Sequence, residues 1–350
     1  MNAALPITLH AGARLRAHVA REGFRLADFG TVLGAAGGPK WLALHGLDRV
    51  LAPRLAATGR RVDLVGSSIG GWRFAAWARA DPIAALDRLL AAYLAPEHFD
   101  PSIRDFDWLF RRYLEALLGE GGAEELCAHD HFAVHLVVAS FAASRLPVAG
   151  RLGWTALRNA FGRPAFDRDH PLLPRRLLLS TRPPTEALRR ALPALEGALV
   201  ADTVVEALLA TAAVPGLLAP VPGLAPDPAR PGIDGGIVDY HFAGAGLGGA
   251  AGFVLYPHFH GRLVPGWFDK AFRGRHRAPE SVDGLLLIRP SDAFVASLPG
   301  GKIPDRGDPR RLGPEGCRAA WSEAADAARR LGDALEEVLE GDRVPERLGV

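Results

Sequence analysis

From Asp28 to Ala80 the sequence alternates between two hydrophobic periods, and that alternation constrains the fold more than any other feature of the chain. Asp28 to Leu33 is a β-rich run that ends in the glycine-rich turn Gly34 to Lys40. Trp41, Leu42, Leu44, Leu47, Val50 and Leu51 then recur at helical spacing, Arg61 to Val65 is a short apolar strand bounded by Gly66, and a helix starts near Ile69. Strand, helix, strand, helix predicts neighbouring parallel strands joined by a right-handed crossover, and so an α/β core. The loops that leave two such strands lie at the same edge of the sheet, which is expected to bring Gly34–Lys40 and Gly66–Gly70 together.

The remaining pattern extends this core. Residues 8 to 22 read as a short helix, and Asp81-Pro82 as an N-cap with a first-turn proline opening a helical stretch to Leu118 that is aromatic in its later half. Phe132 to Ala143, Arg176 to Ser180, Val254 to Tyr256 and Gly284 to Ile288 read as strands, and Thr203 to Ala213 as a helix stopped by Pro215. The Pro/Gly-rich run Pro220 to Gly232 reads as a surface loop, and residues 314 to 340 as an amphipathic helical tail. Neither an internal repeat nor a clear boundary divides the chain, so a single domain is expected over residues 1 to 350.

Composition excludes several classes of partner. Forty-one Lys and Arg against 39 Asp and Glu leave a formal charge of only +2, which does not announce a nucleic-acid partner. Only Lys40, Lys270 and Lys302 are lysines. Cys127 and Cys317 cannot build a disulfide framework, and no segment offers the roughly 20 apolar residues a membrane span needs. The N-terminus lacks a charged start followed by an apolar stretch, so a soluble, cytoplasmic protein is expected. Oligomeric state is not legible.

The candidate chemistry sits at the loops. Gly66-Ser67-Ser68-Ile69-Gly70 is a GxSxG sequence where a strand ends and a helix begins. Small flanking residues allow a sharp turn that exposes the Ser68 hydroxyl, and the helix N-terminus favours a developing oxyanion. With 40 glycines in 350 residues, about 0.13 accidental matches are expected among the serines, so the motif needs its structural context to carry weight. Gly37 and Gly38 can turn N–H groups towards a ligand, whereas Pro39 has none to give. The spacing of that loop fits neither common nucleotide fingerprint. Asp234-Gly235-Gly236 reads as a tight turn after the strand-like Gly232-Ile233. A carboxylate held there can also accept a proton from a serine directly.

The ordered set of glycine-rich loop, Gly66-Ser67-Ser68-Ile69-Gly70, Ala210-Thr211-Ala212-Ala213-Val214-Pro215-Gly216 and Asp234-Gly235-Gly236 resembles the patatin-like phospholipase family over residues 28 to 240. The resemblance implies a three-layer α/β/α fold with a mainly parallel sheet and hydrolysis of acyl esters of lipids without a metal or other cofactor. It implies Ser68 as nucleophile, Asp234 as base, and oxyanion donors at Gly37, Gly38 and Ile69. The first loop, Ala35-Ala36-Gly37-Gly38-Pro39-Lys40-Trp41, departs from the family's usual Asp-Gly-Gly-Gly-x-Arg-Gly, keeping the basic position as Lys40, a possible substrate contact. Acyl transfer at the same site, or a non-catalytic scaffold that binds lipid or protein, are the alternatives.

Other residues compete for a role. His241, His258, His260 and His276 follow Asp234 in the order an ordinary Ser-acid-His triad requires. His129-Asp130-His131 with His135, and His258 with His260, have spacings that suit a metal, although surface or core roles are commoner. The run His258 to Arg277 mixes aromatic and basic residues, as a transient contact with a membrane surface would use.

Overall fold

The computed structural model describes residues 5–349 apart from 143–145, 164, 167–169, 225, 227–229 and 244–251. Its strands are β1 (Ile7–Ala11), β2 (Phe29–Gly34), β3 (Val62–Ser67), β4 (Phe132–Ser140), β5 (Arg175–Ser180), β6 (Leu195–Ala198), β7 (Gly232–Ile233), β8 (Phe253–Pro257) and β9 (Leu285–Pro290). They join in one sheet of order β1-β9-β8-β2-β3-β4-β5-β6, with β7 pairing β4. The central strands β9, β8, β2, β3 and β4 are parallel to one another. β1 runs antiparallel to β9, and β5 and β7 antiparallel to β4.

The helices are α1 (Ala13–Glu22), α2 (His45–Ala56), α3 (Ile69–Trp77), α4 (Pro82–Tyr93), α5 (Pro96–Phe99), α6 (Phe106–Leu118), α7 (Gly122–Ala128), α8 (Val148–Ala160), α9 (Glu186–Ala191), α10 (Val204–Thr211), α11 (Asp292–Ser297), α12 (Asp308–Glu340) and α13 (Val344–Leu348). They flank the sheet in a three-layer α/β/α arrangement with a mainly parallel core. Every residue of β3 and β4 is buried, as the near-continuous apolar runs of strands covered on both faces require. Every residue of α3 is buried too, which makes it a rigid mount for what precedes it. The charge that this burial traps, Arg73, is neutralised by Asp48 of α2 through bonds of 2.7 and 2.5 Å.

Several sequence expectations differ in detail from the structure. Residues 8 to 22 are not one helix: Ile7–Ala11 forms a strand on the edge of β9, and Gly12, where a Cβ would lie 2.1 Å from the Val282 carbonyl, turns the chain into α1. The stretch to Leu118 is three helices, because Pro96 and Pro101 interrupt it. β4 ends at Ser140, and Ala143, where the expected strand ends, lies outside the described residues. The tail helix begins at Asp308 and kinks at Gly313, just before Pro314. Its expected apolar stripe, Trp321 to Val338, is buried. Cys127 and Cys317 are both free. No described helix is long and apolar enough to cross a membrane.

Candidate active site

The parallel register pairs Gly34 with Gly66, so the loops leaving β2 and β3 emerge side by side. Ser68 lies between β3 and α3 with φ 55° and ψ −128°, a strained conformation for a residue with a Cβ. The flanking glycines are required by space. A Cβ on Gly66 would fall 2.5 Å from Gly71 N, and one on Gly70 would fall 2.0 Å from the Gly34 carbonyl. The elbow is tied down by Thr211 at the end of α10. Its hydroxyl accepts the Ser68 N–H at 2.9 Å and donates to the Val137 carbonyl of β4 at 2.6 Å.

Asp234 reaches the same place from the other side. Ile233 pairs with Ala139, so β7 delivers the next residue to the carboxyl edge of β4. The Asp234 N–H donates to the Ala213 carbonyl at 2.9 Å, joining this turn to the Ala-Thr-Ala-Ala segment. Gly236 N–H occupies Oδ1 at 2.7 Å, which leaves Oδ2 to accept the Ser68 hydroxyl at 3.0 Å. Gly235 cannot be larger, since its Cβ would lie 2.0 Å from the Val137 carbonyl. Arg176 of β5 grips Asp239 with two bonds and anchors the far end of the turn. Ser68 and Asp234 are only 3% and 6% exposed. Burial pushes the Asp234 carboxyl above the ordinary carboxylate range, against the pull of Arg306, the Gly236 and Ser68 hydrogen bonds and Lys270.

The first loop closes the site. Ala36 N–H donates to the Tyr240 carbonyl at 3.0 Å, binding this loop to the Asp234 turn. Gly38 adopts φ +55°, and a Cβ on Gly37 would lie 2.8 Å from the Phe259 ring. Among the described residues, the N–H groups of Gly37, Gly38 and Ile69 donate to no protein acceptor. Ser68 N–H, spent on Thr211, is not free in the same way. Trp41 points into the core against Tyr93.

Two cavities meet at Ser68. One, of about 750 Å³, is lined by Gly37, Lys40, Ser68, Asp234, Lys270 and Arg306. The other, of about 530 Å³, is walled largely by aromatic and aliphatic side chains, among them Trp72, Phe99, Leu109, Phe110 and Trp321. Both volumes are in the range of small-molecule sites. Arg306 lines both cavities, its Nε 3.0 Å from where a Gly38 Cβ would lie.

No family model, curated protein or solved structure matches this chain. The local geometry therefore carries the functional argument.

That geometry brings together Ser68, Asp234, Gly37, Gly38, Ile69 and Lys40, the residues singled out in the sequence. Among the described residues, neither Ser68 nor Asp234 hydrogen-bonds to a histidine. His241 Nδ1 accepts from Val264 N–H and His258 Nδ1 from His260 N–H, so both rings are bound into loops. A second serine–histidine–aspartate arrangement does exist, with His135 Nδ1 2.8 Å from Ser180 Oγ and its Nε2 3.3 Å from Asp63. It starts from the opposite end of β3, at Asp63, and lines neither cavity at Ser68. Among the described residues, no group of three or more His, Cys, Asp or Glu is placed to hold a metal ion.

Thr211, Lys270 and Arg306 were not legible as site residues. Thr211 lies in a segment read as a helix end and as one motif of the resemblance, with no role for its own side chain, and Arg306 lies 238 positions (306 − 68) beyond Ser68, with which it lines both cavities. The aromatic helix near Phe106, left without a role from sequence, walls the second cavity through Phe106, Leu109 and Phe110.

Proposed function

We propose that this protein is a serine acyl hydrolase in which Ser68 is the nucleophile and Asp234 its base, acting on acyl esters as the resemblance to patatin-like phospholipases implies. The observation that carries this reading is the 3.0 Å bond from the Ser68 hydroxyl, on a strained elbow, to the buried Asp234 Oδ2 at the junction of two cavities.

Ser68 Oγ attacks the ester carbonyl carbon while its proton passes to Asp234 Oδ2. The negative charge collects on the carbonyl oxygen, towards the N–H groups of Gly37, Gly38 and Ile69. Collapse breaks the carbonyl carbon–alkoxy bond, and the departing alkoxide takes the proton from Asp234. Water then loses a proton to Asp234 and attacks the acyl-enzyme, and Ser68 recovers that proton as the carboxylic acid leaves. The raised pKa of Asp234 suits this work, because a more basic carboxylate is a better proton acceptor. The free loop N–H groups favour catalysis over an inert scaffold.

The test compares hydrolysis of a short-chain aryl ester by wild type, Ser68→Ala and Ser67→Ala. Ser68→Ala should lower kcat by at least about a thousandfold, the usual cost of losing a covalent nucleophile. Ser67→Ala should be far milder, since its buried hydroxyl makes no hydrogen bond. Equal losses in the two variants, or full activity in Ser68→Ala, would refute the assignment.

A further inference from the structure

The 530 Å³ cavity is walled by rings, and two polar atoms of those rings are unspent. Of the aromatic side chains that line it, Trp72 donates its Nε1–H to the Leu208 carbonyl at 2.8 Å and Trp321 donates to Asp308 Oδ2 at 3.0 Å. Tyr93 and His98 line it as well, with ring centroids 4.6 Å apart. Among the described residues the Tyr93 hydroxyl has no hydrogen-bond partner, and His98 has one for Nδ1 alone, the Tyr113 hydroxyl at 2.6 Å. Trp41, Trp77 and Tyr256 also carry unpartnered polar atoms, yet those are sealed from solvent and line neither cavity at Ser68. The Tyr93 hydroxyl and His98 Nε2 are not sealed in this way, so a ligand in the cavity can reach them.

Both atoms are donors. Burial raises the Tyr93 pKa, which keeps that hydroxyl protonated, and lowers His98 to about 4, which keeps its ring neutral. The Tyr113 hydroxyl has no other described partner, so its proton goes to His98 Nδ1 and the ring proton sits on Nε2. Two neighbouring donors on an apolar wall are costly to bury unless something accepts from them. Ser68 aside, the other polar side chains that line this cavity are Asp100, Arg104, Arg306 and Arg310, all of them exposed residues. The acceptor therefore comes with the ligand.

We propose that the ester cleaved at Ser68 carries an acceptor oxygen on its acyl chain, a keto carbonyl being the simplest case, and that Tyr93 Oη and His98 Nε2 donate to it inside the aromatic cavity. The scissile bond lies at the junction of the two cavities, so the acyl chain and the alcohol portion enter different ones. The acyl chain takes the cavity walled by Trp72, Phe99, Leu109, Phe110 and Trp321 and leaves the other to the alcohol. That the chain is an acyl chain rests on the hydrolase reading above.

The test follows acid release from methyl octanoate and from its 4-oxo, 5-oxo, 6-oxo and 7-oxo derivatives, whose ketones are too far from the ester to alter its reactivity much. A methyl leaving group keeps the aromatic cavity free for the acyl chain. In wild type at least one oxo ester should exceed methyl octanoate in kcat/KM by at least about tenfold, the effect of two hydrogen bonds to a neutral oxygen. Tyr93→Phe, which keeps the ring, should cut kcat/KM for that oxo ester at least about threefold more than for methyl octanoate, and so should His98→Phe. Equal losses on the two esters would make both residues merely structural and overturn the inference. If one variant loses its native circular dichroism the other decides, and if both do the wild-type ranking decides alone. Cleavage of methyl octanoate with no oxo ester favoured, or of a short-chain aryl ester with none of the five methyl esters touched, overturns the inference and leaves the hydrolase intact. Cleavage of neither methyl nor aryl esters refutes the hydrolase reading, and the inference with it.

Discussion

The Thr211 hydroxyl is the clearest structural determinant of the elbow, and Thr211→Val removes it at almost constant volume. In the wild type that oxygen accepts the Ser68 N–H at 2.9 Å and donates to the Val137 carbonyl at 2.6 Å, with Thr211 fully buried. Valine leaves a buried N–H without a partner, which costs about 1–3 kcal/mol, and forfeits a second hydrogen bond contributing about 0.5–1.5 kcal/mol. The sum is a loss of about 1.5–4.5 kcal/mol, to be read as a shift in the urea midpoint at unchanged slope. Thr211→Ser keeps both bonds and loses one methyl, so about 1 kcal/mol is expected. Because the bond also fixes the strained Ser68 backbone, Thr211→Val should lower kcat for an aryl ester by ten- to about a hundredfold with little change in KM. The reasoning is wrong if Thr211→Val lies within about 0.5 kcal/mol of wild type, or if Thr211→Ser is as damaging as Thr211→Val.

Three further outcomes follow from the buried charges. Asp48→Ala strands Arg73 inside α3 and should destabilise the protein by about 3–5 kcal/mol, whereas Asp48→Leu with Arg73→Met should recover most of that loss in thermal denaturation. Activity should fall as pH drops through the raised pKa of Asp234, because the protonated acid cannot accept the Ser68 proton; a pH–kcat/KM profile whose acid limb sits at or below the ordinary carboxylate value near 3.8 would contradict this. The same shift makes ionised Asp234 a stability penalty, full above its folded pKa and fading as pH falls towards 3.8, so Asp234→Asn should be inactive yet at least as stable as wild type at neutral pH in urea titrations.

What the sequence revealed depended on range. The alternation from Asp28 to Ala80 encodes β2, β3 and their helices locally, so the paired loops at Gly34 and Gly66 were legible. Ser68 and Asp234 were legible because the glycines around them answer steric demands of the nearby backbone: Gly70 against Gly34, Gly235 against Val137. β1 was missed since five residues carry little periodic signal and their strand character comes from pairing with β9, far along the chain. β7, only two residues long, exists because β4 offers it an edge. Lys270 lies in a short 3-10 turn, Trp267–Ala271, and Arg306 in a turn before α12; neither carries a periodic signal, and only the tertiary fold sets them beside Ser68.

The central claim, that Ser68 is a nucleophile activated by Asp234, is tested most directly by mapping a fluorophosphonate adduct by peptide mass spectrometry. Wild type should form a single adduct on Ser68, Ser68→Ala none, and Asp234→Asn should react at least about a hundredfold more slowly while remaining folded. His241→Ala, His258→Ala, His260→Ala and His276→Ala should each label within about tenfold of wild type, since none touches the Ser68 hydroxyl. An adduct on another residue, no adduct at all, or a histidine variant as slow as Asp234→Asn would contradict the account.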